Sequence, residues 1–122
     1  MMFPNQPVIL CADDSKIATN ARCAVLQDFG YKVLCAYSGA ETMEIVNRQD
    51  RLDLVLLDYE IGDTDASVLL PAINTARPEL KVALLTGSAE LDGFPGANAV
   101  FVKPLAPPKL AEEVRKLLGG GE

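Results

Sequence analysis

Five short apolar runs, each closed by a polar residue and spaced to admit a helix between them, limit what this chain can fold into. They are Val8–Ala12, ended by Asp13 and Asp14; Tyr31–Tyr37, followed by Ser38; Leu52–Leu57, ended by Asp58; Lys81–Leu85, ended by Thr86 and Gly87; and Ala99–Val102, ended by Lys103 and Pro104. The runs are strand-sized and close to continuous in hydrophobicity, as expected of strands covered on both faces.

The intervals between them read as helices. Residues 15 to 29 place Ile17, Ala21, Ala24, Val25 and Phe29 at helical spacing, with Gly30 as a stop. Ser38-Gly39-Ala40-Glu41 has capping-box spacing and opens a helix to about Asn47 that buries Met43 and Val46. Asp63 to Ala76 carries Leu69, Ile73 and Ala76 on one face, with Pro71 expected to kink or delay it. Pro107 and Pro108 open an amphipathic helix with Leu110, Val114, Leu117 and Leu118 inward. Between Thr86 and Ala99 the segment GSAELDGFPGANA shows no apolar stripe, so the fourth helix is expected to be short or missing, at most one turn around Ser88 to Asp92. Strands alternating with helices give an α/β domain with a parallel sheet.

Length and charge narrow the function. At 122 residues, 49% hydrophobic and 23% charged, the chain is sized for one domain with its own core. A net charge of −6 argues against binding nucleic acid or an anionic membrane through a basic patch. No apolar run reaches the roughly 20 residues a membrane span needs, and MMFPNQP lacks the pattern of a secretory leader. Cys11, Cys23 and Cys35, with no C-x-x-C pair, are expected to be reduced core residues in the cytoplasm. The absence of histidine removes His-based metal sites, Ser-His-Asp triads and a phosphohistidine carrier role. Neither G-x-G-x-x-G nor the P-loop pattern occurs.

The polar strand ends have a chemistry in common. In an open parallel sheet, ligands bind beyond the carboxyl ends of the strands, where the strand order reverses. Asp13, Asp14, Asp58, Thr86 and Lys103 close four different strands and can meet on that rim. Three carboxylates brought together repel unless a cation joins them. Oxygen donors without histidine select a hard cation such as Mg²⁺. An aspartate beside that ion is able to attack a phosphoryl group, and a lysine and a hydroxyl can neutralise and bind its oxygens.

Asp13-Asp14, Asp58, Thr86 and Lys103-Pro104, in this order and each at a strand end, resemble the receiver domain of two-component response regulators, of the chemotaxis-regulator-like kind, over residues 7 to 118. The resemblance implies a doubly wound, flavodoxin-like five-stranded sheet of order 2-1-3-4-5. It implies a receiver domain over residues 1–118, while 119–122 form a flexible Gly-rich tail. Carried over by position, Asp58 is the phosphoacceptor. Asp13, Asp14 and Asp58 hold Mg²⁺ together with the backbone carbonyl of Glu60. Thr86 bonds the phosphoryl group in the active state, Lys103 pairs with its oxygens, and Pro104 follows a cis peptide bond that aims the lysine.

The donor would be a sensor histidine kinase or a histidine phosphotransfer protein. Such a domain is a signalling module that catalyses only its own phosphorylation and dephosphorylation. It would act through an unidentified downstream protein or a homodimer, without contacting nucleic acid directly or inserting into a membrane. No DNA-binding or catalytic output domain follows residue 118, so output is expected through a partner or through sequence not present here.

Four positions depart from the family pattern. Gly62 stands where proline is usual, which would loosen the loop, and Ala66 where glycine is usual. Val100 takes the place of a switch aromatic, and Phe101 beside it should face the other side of the strand. The Thr86-to-Lys103 interval is shorter than usual, at the place of the usual output face. The side chain of Glu60, two residues after Asp58, would border the phosphoryl group and alter access of water or donor. The Gly62 and Ala66 changes read as variations, since the chemistry uses neither side chain, whereas Val100 and the shortened interval favour an alternative, a receiver-fold interaction module not switched by phosphorylation. A Mg²⁺-dependent phosphatase would want D-x-D where Asp13-Asp14-Ser15 stands.

Overall fold

The computed structural model describes residues 6–87 and 94–119. Along the chain these form β1 (Val8–Ala12), α1 (Lys16–Asp28), β2 (Lys32–Ala36), α2 (Gly39–Arg48), β3 (Leu54–Asp58), β4 (Glu60–Ile61), β5 (Thr64–Asp65), α3 (Ala66–Ala76), β6 (Lys81–Thr86), β7 (Ala99–Val102) and α4 (Pro107–Leu117). Five strands make one sheet in the order β2-β1-β3-β6-β7, and every pairing in it is parallel. This is the expected 2-1-3-4-5 order, with β4 and β5 forming a separate small hairpin.

Alternate strand residues supply two cores. Val8, Leu10, Val55, Leu57, Val82 and Leu84 face Val46 of α2 and Leu69, Leu70 and Ile73 of α3. Ile9, Cys11, Leu54, Leu56, Ala83 and Leu85 face Cys23 and Leu26 of α1 and Leu110, Ala111 and Val114 of α4. The sheet is thus covered on both sides, which is why its strands read as unbroken apolar runs.

Local chemistry fixes the helix starts. Ser15 caps α1 by accepting the Ala18 N–H at 3.2 Å. Ser38 caps α2, and Glu41 Oε1 reaches back to the Tyr37 N–H at 2.7 Å, one residue beyond the usual box partner. Pro107 and Pro108 occupy the first turn of α4, where their missing N–H groups cost nothing.

Three expectations change. Most of the stripe predicted to bury α1 lies outside: Ile17 is 86% and Phe29 58% exposed and Ala21 and Ala24 are exposed, while Val25 is half-buried against the core; Thr19, Cys23 and Leu26 are buried. Thr19 can turn inward because its hydroxyl donates to the Asp13 and Ser15 carbonyls. α3 starts at Ala66, later than Asp63, with Asp65 as its cap, and it continues through Pro71. Pro71 and Ser67 both lie on the exposed face, so the Ser67 carbonyl that loses its helical partner can bond water. Ala76, expected inward, is exposed.

Gly62, expected to loosen its loop, is held. It has φ +67 at the first position of a two-residue turn between Ile61 and Thr64, the pattern of a type II′ hairpin. Proline could adopt neither that φ nor the N–H bond described below. The helix predicted around Ser88 to Asp92 and the tail residues 120–122 lie outside the described residues.

Candidate functional site

The strand order reverses between β1 and β3, and Asp13, Asp14 and Asp58 gather at the carboxyl ends of those two strands. Asp13 follows β1, and its N–H continues the ladder to the Ala36 carbonyl at 3.0 Å. Its side chain is buried: Oδ1 accepts the Ser15 N–H at 2.9 Å, and Oδ2 accepts Arg22 Nη1 at 2.7 Å. Asp14 is exposed and accepts the Gly62 N–H on Oδ2 at 2.9 Å, tying the β4–β5 turn to the rim.

Asp58 is the last residue of β3 and only 6% exposed. Lys103 Nζ donates to its Oδ1 at 2.5 Å. The Lys103 N–H bonds the Thr86 carbonyl at 2.7 Å, and the Lys103–Pro104 peptide bond that follows is cis. Thr86 ends β6 and is buried beside it. A cavity of about 340 Å³ opens here, lined by Asp58, Tyr59, Glu60, Leu85, Thr86, Gly87 and Lys103.

One carboxylate oxygen from each of Asp13, Asp14 and Asp58 lies within 4.8 Å of the other two. An octahedral Mg–O shell is roughly 4.2 Å across, so the three side chains would need to draw in only slightly around an ion. An all-oxygen, three-carboxylate set of this size fits a small hard dication. Burial raises the Asp58 carboxyl above the usual carboxylate range and the Asp13 charge adds to it, while the Lys103 hydrogen bond and the Arg22 charge oppose the rise.

The five side chains picked from strand ends therefore meet on one rim, and Glu60 lines the cavity from β4. The strand-end pattern picks out neither Arg22 nor Tyr59. Arg22 is a charged residue on the sheet-facing side of α1, a signal visible only with the correct helical phase. Tyr59 packs edge-on against Phe94, centroids 5.8 Å apart at 74°. Val100 packs against the α2/α3-side core and Phe101 against the α1/α4-side core, so the two face oppositely as expected.

The cysteines belong to the core. Cys11 and Cys23 are buried and Cys35 half-buried. The Cys11 hydrogen bond and burial raise the Cys23 thiol far above its ordinary range, and burial pushes Cys35 up to about 11. Neither is a ready nucleophile near neutral pH.

Residues 9–115 match the response regulator receiver domain model. The chain is 30% identical over 115 residues to sporulation initiation phosphotransferase F of Bacillus subtilis, covering 90% of this chain and 92% of that protein. It is equally similar to the transcriptional regulatory protein ZraR of Salmonella typhimurium, but spans only 26% of that protein's length. Among solved structures, a CheY-like receiver domain protein from Methanospirillum hungatei superposes with a TM-score of 0.87 at 27% identity, covering 95% of this chain and 96% of the other. The response regulator TrrA of Thermotoga maritima, in complex with Mg²⁺–BeF, superposes with a TM-score of 0.82 at 26% identity, covering 92% and 99%. No helix among the described residues is long and apolar enough to cross a membrane.

Proposed function

This chain belongs to the response regulator receiver domain family of two-component systems, and from that premise we propose that Asp58 accepts a phosphoryl group from a histidine kinase or histidine phosphotransfer protein. The observation that carries this reading is the convergence on Asp58: Asp13 and Asp14 bring carboxylate oxygens close to its own, and Lys103 and Thr86 line one cavity with it. Asp13, Asp14 and Asp58 would hold Mg²⁺, with the Glu60 carbonyl as a further ligand; the Mg²⁺–BeF complex of the Thermotoga relative supports that choice. Bound there, the ion supplies charge neutralisation for the phosphoryl oxygens.

The chain's own residues do the rest. Lys103 engages Asp58 Oδ1, leaving Oδ2 to attack phosphorus. The new P–O bond makes an aspartyl phosphate, the donor's P–N bond breaks, and the freed imidazole takes up a proton. Lys103 then pairs with a phosphoryl oxygen and the Thr86 hydroxyl bonds another. Signalling would follow in the cytoplasm through contacts with a partner protein or a second copy.

The test is incubation with Mg²⁺ and a small acyl-phosphate donor, read by intact mass. Wild type gains one phosphoryl group and Asp58→Asn gains none. Wild type that stays unmodified although it binds Mg²⁺ overturns the reading. That result would favour an interaction module not switched by phosphate, which Val100 in the place of a switch aromatic also favours.

A further inference from the structure

Arg22 has no part in the phosphoryl chemistry proposed above, yet its guanidinium stands inside the acidic rim. It projects from the buried side of α1, between Thr19 and Cys23. Its side chain is 14% exposed and that of Asp13 is 4% exposed, with 2.7 Å between Nη1 and Oδ2. The other Asp13 oxygen is held by the Ser15 N–H. The rim therefore carries two internal cations, Lys103 on Asp58 and Arg22 on Asp13. Lys103 can pass to the oxygens of an incoming phosphoryl group. Arg22 has no such successor, because the atom it occupies is on a carboxylate a metal ion would have to use.

We propose that Arg22 is the built-in counter-ion of the divalent-metal site: without metal it holds Asp13 in place, and a divalent cation enters by taking Asp13 Oδ2 from it. This rests on the metal reading above and adds a residue that sets the affinity. Entry must break a largely buried ion pair and leave a guanidinium close to a doubly charged ion. The site consequently holds its metal more weakly than the same three carboxylates would alone, and Arg22 is a positioning residue for the ion, not a ligand. A purely structural pair would anchor α1 without any such effect on metal affinity.

The full chain would be titrated with Mg²⁺ by calorimetry at fixed ionic strength, with melting followed in parallel with and without the ion. Wild type, Arg22→Met, Arg22→Gln and Arg22→Lys are compared, and Arg22→Met is repeated in an Asp13→Asn background. Arg22→Met and Arg22→Gln should bind Mg²⁺ about tenfold more tightly than wild type, since one nearby positive charge is removed. They should melt lower without the ion and recover on adding it, while Arg22→Lys stays near wild type. With Asn at position 13 the gain in affinity should shrink. Equal or weaker binding by both neutral variants, with wild type binding normally, overturns the proposal. If neither wild type nor variants bind Mg²⁺, the metal reading falls along with it.

Discussion

The centre of the sheet and its β7 edge are built to different standards. All five residues of β3, Asp58 included, are buried, and the polar groups at its carboxyl end are held by named partners: Asp13 by Ser15 and Arg22, Asp14 by Gly62, Asp58 by Lys103. β7 has no fully buried residue, and Val102 is 41% exposed. Asn98 aligns this edge, its N–H and Oδ1 both bonding the backbone of Val82. Position at the centre is enforced by packing on both faces, so chemistry that depends on ångström placement belongs there. An edge strand covered less completely can change residues at lower cost, and Val100, the clearest departure from the family pattern, lies on it.

Three changes would break or sharpen this contrast. The largest effect is expected from Leu56→Ala, a cavity at the centre of the α1/α4 core, costing about 2–5 kcal/mol in urea unfolding. A loss no greater than that of an edge residue would remove the distinction. Asp58→Asn should act in the opposite sense and more weakly. The folded state raises this carboxyl's pKa, so it binds the proton more tightly than the unfolded chain does. Wild type therefore loses stability as pH rises from the ordinary carboxylate range through the raised value. Melting curves without divalent ions should show Asp58→Asn more stable at neutral pH by on the order of 1 kcal/mol, converging with wild type in acid. A less stable variant at neutral pH would mean that the Lys103 pair outweighs burial.

The smallest effect is expected from Val100→Ala, about 1 kcal/mol or less because the residue is only half-buried. Its rate of phosphorylation by an acyl-phosphate donor should match that of wild type. A large loss would show that the edge reaches into the chemistry.

What could be read from the sequence follows the same division. Parallel strands packed on both faces must be apolar throughout and must end abruptly, so both the strands and the rim residues stood out. α1 did not, because helical periodicity counts threonine as polar and alanine as apolar. Thr19 goes inside with its hydroxyl satisfied by two carbonyls, and the alanines go outside. That error of phase hid Arg22, which the 19/23/26 phase turns toward the rim. The hairpin after Asp58 was written plainly in Gly62-Asp63 between Ile61 and Thr64. Its second strand falls within the stretch from Asp63 that the apolar face of Leu69, Ile73 and Ala76 predicts as helix.

Asp13 is also where α1 is fastened. Its carboxylate accepts the Ser15 N–H, its carbonyl accepts the Thr19 hydroxyl at 3.1 Å, and Arg22 grips it from the following turn. These three grips hold the start of the 13-residue helix, and the fully buried Leu26 holds its second half against the sheet.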